Sequence, residues 1–126
     1  MNRGFIQDDC MKVAVIGSRS FSSYDILCRE LDTMNITEIV SGGAKGADTL
    51  AEGYAAENSI PVKKFLPDWK KHDKGAGIRR NKQIVDYADC VIAFWDGRSR
   101  GTQSGIDFAR KAGKDLRVIT GWYIPG

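Results

Sequence analysis

The 126-residue sequence predicts a three-layer α/β sandwich built on a mostly parallel sheet. Three observations carry that expectation. Lys12-Val13-Ala14-Val15-Ile16-Gly17 and Cys90-Val91-Ile92-Ala93-Phe94-Trp95 are almost continuously apolar, as strands buried on both faces are. Segments of helical periodicity alternate with the strand-like runs, which is how βαβ units read. Two further runs, one bearing lysines between prolines and one alternating, suit the edges of the sheet. Right-handed crossovers then give the strand order 3-2-1-4-5, with the order reversing between strands 1 and 4.

Taken in order, residues 1–11 show no periodicity and are expected to form a flexible N-terminal extension, leaving 12–126 as one domain. Strand 1 is followed by Gly17-Ser18-Arg19-Ser20-Phe21 and a helix with Tyr24, Leu27, Cys28, Leu31 and Met34 on one stripe. Ser22 or Ser23 suits its N-cap. Glu38 to Ser41 reads as strand 2. The turn Ser41-Gly42-Gly43-Ala44-Lys45-Gly46-Ala47-Asp48 leads into a helix carrying Ala47, Leu50, Ala51, Tyr54 and Ala55. Strand 3 is expected near Val62 to Leu66, at an edge between Pro61 and Pro67. A third helix has Ile78, Asn81, Ile84, Val85 and Ala88 on its stripe, with Asn81 the one polar member. After strand 4, Asp96-Gly97-Arg98-Ser99-Arg100-Gly101-Thr102 turns into a helix with Ile106, Ala109 and Ala112. Leu116 to Thr120 alternates and makes the second edge strand.

Composition narrows the function classes. At 42% hydrophobic the chain can bury a single core, and its net charge of +3 is too small for bulk nucleic-acid binding. Cys10, Cys28 and Cys90 are widely spaced with no C-x-x-C pair, which suggests neither a disulfide framework nor a zinc site and points to a cytoplasmic protein. No apolar run approaches a membrane span, so no membrane partner is expected. No resident cofactor or tightly bound metal is called for, although magnesium could accompany a polyphosphate.

In an open α/β sheet the ligand crevice lies beyond the carboxyl ends of the strands where their order reverses. Gly17 to Phe21 and Trp95 to Thr102 must face each other there, with the glycine turn beside them. Gly42, Gly43 and Gly46 would let backbone N–H groups approach an anion, and the next helix adds unpaired donors and a favourable dipole. The turn matches neither G-x-G-x-x-G nor the P-loop. Its plain alternative is a tight β–α turn, and Thr49 with Glu52 fits a capping box that would start the helix later.

The expected ligand-binding set is Gly17, Ser18, Arg19, Ser41, Gly42, Gly43, Lys45, Gly46, Asp48, Arg79, Asn81, Trp95, Asp96, Arg100, Gly101 and Thr102. Arg19 and Arg100 suit bidentate contacts to phosphate, while Lys45 and Arg98 add less specific charge. Asp48 could take a ribose hydroxyl or simply complement the helix dipole. Between Lys63 and Lys82, eight Lys or Arg stand against Asp68 and Asp73, with Trp69 and His72 interleaved. A solvated face explains that run better than a nucleic-acid patch, since one tryptophan offers little to stack on.

Together, GSRSF, SGGAKGAD, IRRNKQIVDYAD and WDGRSRGT resemble the YspA cpYpsA-related SLOG family from about Met11 to Thr120. The resemblance implies a Rossmann-like fold and kinship with the Lonely Guy phosphoribohydrolases and the DNA-processing protein DprA. It also implies binding of nucleotides or nucleotide-derived signals. One departure matters. Lonely Guy enzymes carry P-G-G-x-G-T-x-x-E, and Gly105 stands here where that glutamate would fall. Asp107 lies two residues too late, its side chain turned by roughly 200°.

The leading expectation is therefore a protein that binds a nucleotide or nucleotide-derived ligand, ADP-ribose-like compounds among them, with a sensor as one form this would take. A nucleotide N-glycosidase or phosphoribohydrolase using Asp48 or Asp96 is the alternative, so enzymatic activity stays open. DprA-like binding of single-stranded nucleic acid is the second alternative. The sequence is compatible with a homo-oligomer.

Overall fold

The structure, a computed structural model, describes residues 11–66 and 75–122. Among the described residues nine elements alternate: β1 (Met11–Gly17), α1 (Tyr24–Leu31), β2 (Ile36–Ser41), α2 (Ala47–Glu57), β3 (Val62–Lys64), α3 (Ala76–Tyr87), β4 (Cys90–Phe94), α4 (Arg100–Lys111) and β5 (Asp115–Ile119). The five strands form one parallel sheet in the order β3-β2-β1-β4-β5. The fold is the Rossmann-like α/β sandwich that the alternation predicts.

Period-two alternation divides each central strand between two cores. Val13, Val15, Ile39, Cys90, Ile92 and Phe94 face α1 and α2, where they meet Leu27, Leu31, Ala51, Tyr54 and Ala55. Ala14, Ile16, Val40, Val91 and Ala93 face α3 and α4, against Ile84, Val85, Ile106 and Ala109. Because β1 and β4 are buried on both sides, their sequences carry no polar alternation. On the first face, Phe21 stacks on Phe94 at 4.4 Å between ring centroids, and Trp122 meets Phe21 edge-on at 4.9 Å.

Element ends follow local chemistry. Ser23 caps α1, its Oγ accepting the N–H of Ile26 at 3.3 Å. β3 is shorter than the run to Leu66 suggests, and Lys63 and Lys64 lie exposed at the sheet edge. The Thr49–Glu52 capping box does not form. Instead α2 starts earlier, at Ala47, with Gly46 at its N-cap. Thr49 Oγ1 donates back to the Ala44 carbonyl, and Glu52 takes the Ser41 hydroxyl and the Lys64 ammonium. Met11, expected in the N-terminal extension, is already part of β1. The rest of that extension, and Trp69 and His72 of the basic segment, lie outside the described residues. Among the described residues no helix is long and apolar enough to cross a membrane.

Candidate functional site at the strand-order switch

A cavity of about 480 Å³ opens at the carboxyl ends of β1 and β4, a volume in the range of small-molecule sites. Ile16, Gly17, Ser18, Arg19 and Ser20 supply one wall, and Ala44 and Asp48 a second. Arg80, Asn81 and Ile84 of α3 form a third, with Asp96, Ser99, Gly101 and Thr102 opposite.

Ser18 joins the two loops that the topology brings face to face. Its side chain is buried, and its Oγ accepts both the Asp96 N–H at 3.1 Å and the Ser99 hydroxyl at 2.9 Å. Asp96 closes its own turn, Oδ1 accepting the N–H groups of Arg98 and Ser99 at 2.8 Å each. Those bonds, led by the one from Ser99, hold its carboxyl below the usual carboxylate range. Ser99 stands at the N-cap of α4, but its side chain makes no capping bond to that helix. Gly101 and Thr102, in the first turn, thus line the cavity where a helix N-terminus favours negative charge.

The glycine turn is built differently from the sequence expectation. The N–H groups of Gly42 and Ala44 both donate to Asp48 Oδ2, at 3.1 and 3.2 Å, and that of Gly43 donates to Ser41 Oγ. Two of the three amides expected to approach a ligand anion, those of Gly42 and Gly43, are thus taken up by the chain's own acceptors, as is that of Ala44. Asp48 fills the position in which a phosphate was expected. Gly46 serves an approach between backbones: at φ +85° it lies so close to the preceding loop that a Cβ would sit 2.5 Å from the Ser18 carbonyl oxygen. Gly43 also has a positive φ, +74°, and a Cβ there would meet Leu66.

Arg80 supplies the charge that the turn does not. Its Nη1 donates to the Gly42 carbonyl at 2.8 Å and its Nε to Asn81 Oδ1 at 3.1 Å. Asn81 in turn donates to the Gly101 carbonyl at 3.1 Å, which ties α3 to the start of α4 and explains the polar member of that stripe. Burial lowers the pKa of the half-buried Arg80, with Arg19 adding to the effect and Asp48 opposing it. Arg19 is exposed at the cavity mouth.

The cavity gathers Gly17, Ser18, Arg19, Asp48, Asn81, Asp96, Gly101 and Thr102 from the expected set. Ser41, Gly42, Gly43 and Gly46 shape the turn behind it without lining it, and Trp95 braces the next loop, its indole donating to the Ser99 carbonyl. Lys45, Arg79 and Arg100 are exposed and line no part of it. Of the neighbours Arg79 and Arg80 it is Arg80 that lines the cavity: one helical residue turns a side chain by roughly 100°, and Arg80 is the neighbour of Ile84 at i, i+4. That spacing was available in the sequence. Ser99 and Ala44 had no comparable signal, since loop closure places them. Gly105 is buried, and a Cβ there would fall 2.6 Å from Ile16 Cδ1, so that the tip of that side chain would have to shift, while Asp107 is exposed on the helix.

The profile of the YspA, cpYpsA-related SLOG family (YAcAr) matches residues 11–72. The Gene 61 protein of Mycobacterium phage D29 is 36% identical over 113 residues, covering 81% of this chain and 90% of that protein. Among solved structures, DNA processing protein A (DprA) of Streptococcus pneumoniae superposes with a TM-score of 0.69 at 25% identity, over 91% of this chain and 50% of its own. DNA processing protein A of Helicobacter pylori, described for its single-stranded DNA binding mode, gives 0.64 at 28% identity, over 86% of this chain and 64% of its own. The chain thus spans half of one and under two thirds of the other.

Proposed function

The chain belongs to the YspA, cpYpsA-related SLOG family, and from that premise we propose that its crevice binds a nucleotide or nucleotide-derived ligand, as a sensor would. One observation carries the reading. Two guanidinium groups, Arg19 and Arg80, and the uncapped first turn of α4 converge on one cavity at the strand-order switch. Arginine and a helix N-terminus are the usual partners of phosphate, and the cavity volume suits a small nucleotide. Candidates include AMP and ADP-ribose.

Cleavage is not part of the proposal. Gly105 stands where Lonely Guy enzymes carry their glutamate, Asp107 is exposed, and Asp96 is committed to its own turn. Binding of single-stranded DNA is the second reading, favoured by the likeness to the Helicobacter pylori protein.

Thermal unfolding in the presence of a nucleotide panel tests the proposal, because a ligand bound only by the native state raises the transition by mass action. An upward shift with AMP, ADP-ribose or a related nucleotide is expected, and a flat panel at millimolar concentration refutes it. Chromatography of the same mixtures would reveal any released base. Oligonucleotide affinity that falls steeply with salt, without any response to mononucleotides, would favour the second reading.

A further inference from the structure

Asp48 is a buried carboxylate with one oxygen committed and one not. The residue lines the cavity and is only 6% exposed. Oδ2 accepts both N–H groups of the glycine turn, from Gly42 and Ala44. Oδ1 accepts no hydrogen bond among the described residues, and no cation lies within ion-pair distance of the carboxylate among them. A buried acceptor left unpaired costs stability, so its retention beside a cavity points to a donor that arrives from outside.

The donor is constrained by its surroundings. Arg80 and Arg19 sit at the same cavity and favour the anionic part of a ligand. A carboxylate at the same cavity repels that part and accepts a neutral O–H instead. A molecule that carries phosphate and, one sugar ring away, free hydroxyls meets both demands. We infer that Asp48 Oδ1 reads a ribose hydroxyl, so that the crevice selects ribonucleotides over their deoxy counterparts. This rests on the nucleotide-binding reading and narrows it to a sugar class.

The charge state fits this role. Burial pushes the Asp48 carboxyl up to about 6, against the pull of the Ala44 N–H, Arg80 on α3 and the Gly42 N–H. Glu52 on α2, held by Ser41 and Lys64, adds a small upward push. At neutral pH the group is therefore an ionised acceptor, and it protonates below about 6.

Asp48→Asn isolates the committed oxygen from the free one. The amide keeps one carbonyl oxygen for Gly42 and Ala44 and puts an NH₂ donor where Oδ1 stood. Titration calorimetry with AMP, 2′-deoxy-AMP and 3′-deoxy-AMP on both proteins reads the result. The parent is expected to bind AMP about ten-fold or more tightly than one of the two deoxy compounds, the strength of a hydrogen bond to a charged group. In Asp48→Asn, whose NH₂ can make only a neutral bond to the hydroxyl oxygen, that contrast should shrink markedly.

Equal affinities on the parent would overturn the inference and leave nucleotide binding intact. An undiminished contrast in Asp48→Asn would overturn it too, because a neutral amide cannot replace a charge-assisted bond to the carboxylate. Absence of binding by all three overturns this inference, while a response to ADP-ribose in the unfolding panel would leave the nucleotide-binding reading standing. Should the variant not fold, the AMP to deoxy-AMP ratio on the parent at about pH 5 and about pH 7.5 replaces it. The phosphate titrates alike in all three compounds, so the ratio must shrink at the lower pH, and an unchanged ratio refutes the role of Asp48.

Discussion

Asp48→Asn also predicts how stability depends on pH, independently of any ligand. Burial raises the Asp48 carboxyl from its usual 3.8 to about 6 in the folded protein. The folded state therefore holds this proton more tightly than the unfolded chain, and stability from it is complete below about pH 3.8 and lost as pH rises through about 6. The gap of about 2 pH units corresponds to about 3 kcal/mol in full, of which about 2 kcal/mol falls between pH 4.5 and 7.5. The carboxylate is deeply buried, so solvent screening leaves most of this in place. The asparagine variant carries no such proton. Urea unfolding followed by circular dichroism, at several pH values across that window, gives both curves. The difference between variant and parent should shift in favour of asparagine by about 2 kcal/mol as pH rises. Parallel curves, or a parent that gains on the variant with rising pH, would mean that the two N–H groups and Arg80 outweigh desolvation, and the reasoning would fail.

Arg19→Ala should leave thermal stability nearly unchanged, since the side chain is exposed, while weakening nucleotide binding by about ten-fold, read by calorimetry. Arg80→Ala should cost both, because it also strands the Gly42 carbonyl and the Asn81 side-chain oxygen, and equal stability to the parent would contradict the bracing role. Gly46→Ala should lower stability by about 1–3 kcal/mol or more in denaturant titration, through a strained φ and contact with the Ser18 carbonyl. Gly105→Glu puts a glutamate at the Lonely Guy position yet should yield a destabilised protein that releases no base from AMP, because a charged side chain at this buried position must displace Ile16 from the core.

How far the sequence foretold the molecule differs between scaffold and site. β1 and β4 were legible because burial on both faces leaves an uninterrupted apolar run, and the strand order followed from crossover handedness. The cap of α1 was legible to within one residue, as Ser22 or Ser23, because the role of Ser23 depends on three residues of local chain. The glycine turn was found but its wiring was not. Whether its amides meet a ligand or Asp48 depends on how the chain folds back, and local composition is the same in either case. Thr49 and Glu52 misled for the same reason: the motif was present, but Ala44, Ser41 and Lys64 offered their side chains other partners. Asn81 looked anomalous on an apolar stripe because its partners, Arg80 and Gly101, are supplied by a neighbour in sequence and by another helix.

The central claim is that a nucleotide occupies the cavity between the β1–α1 loop, the glycine turn and the start of α4. Titration of ¹⁵N-labelled protein with AMP and ADP-ribose, followed by amide chemical shifts, tests it most directly. The largest shifts are predicted at Ser18, Arg19, Ala44, Gly101 and Thr102, the backbone positions that line the cavity. Unchanged spectra at millimolar ligand, or shifts confined to the Lys63–Lys64 edge, would contradict it.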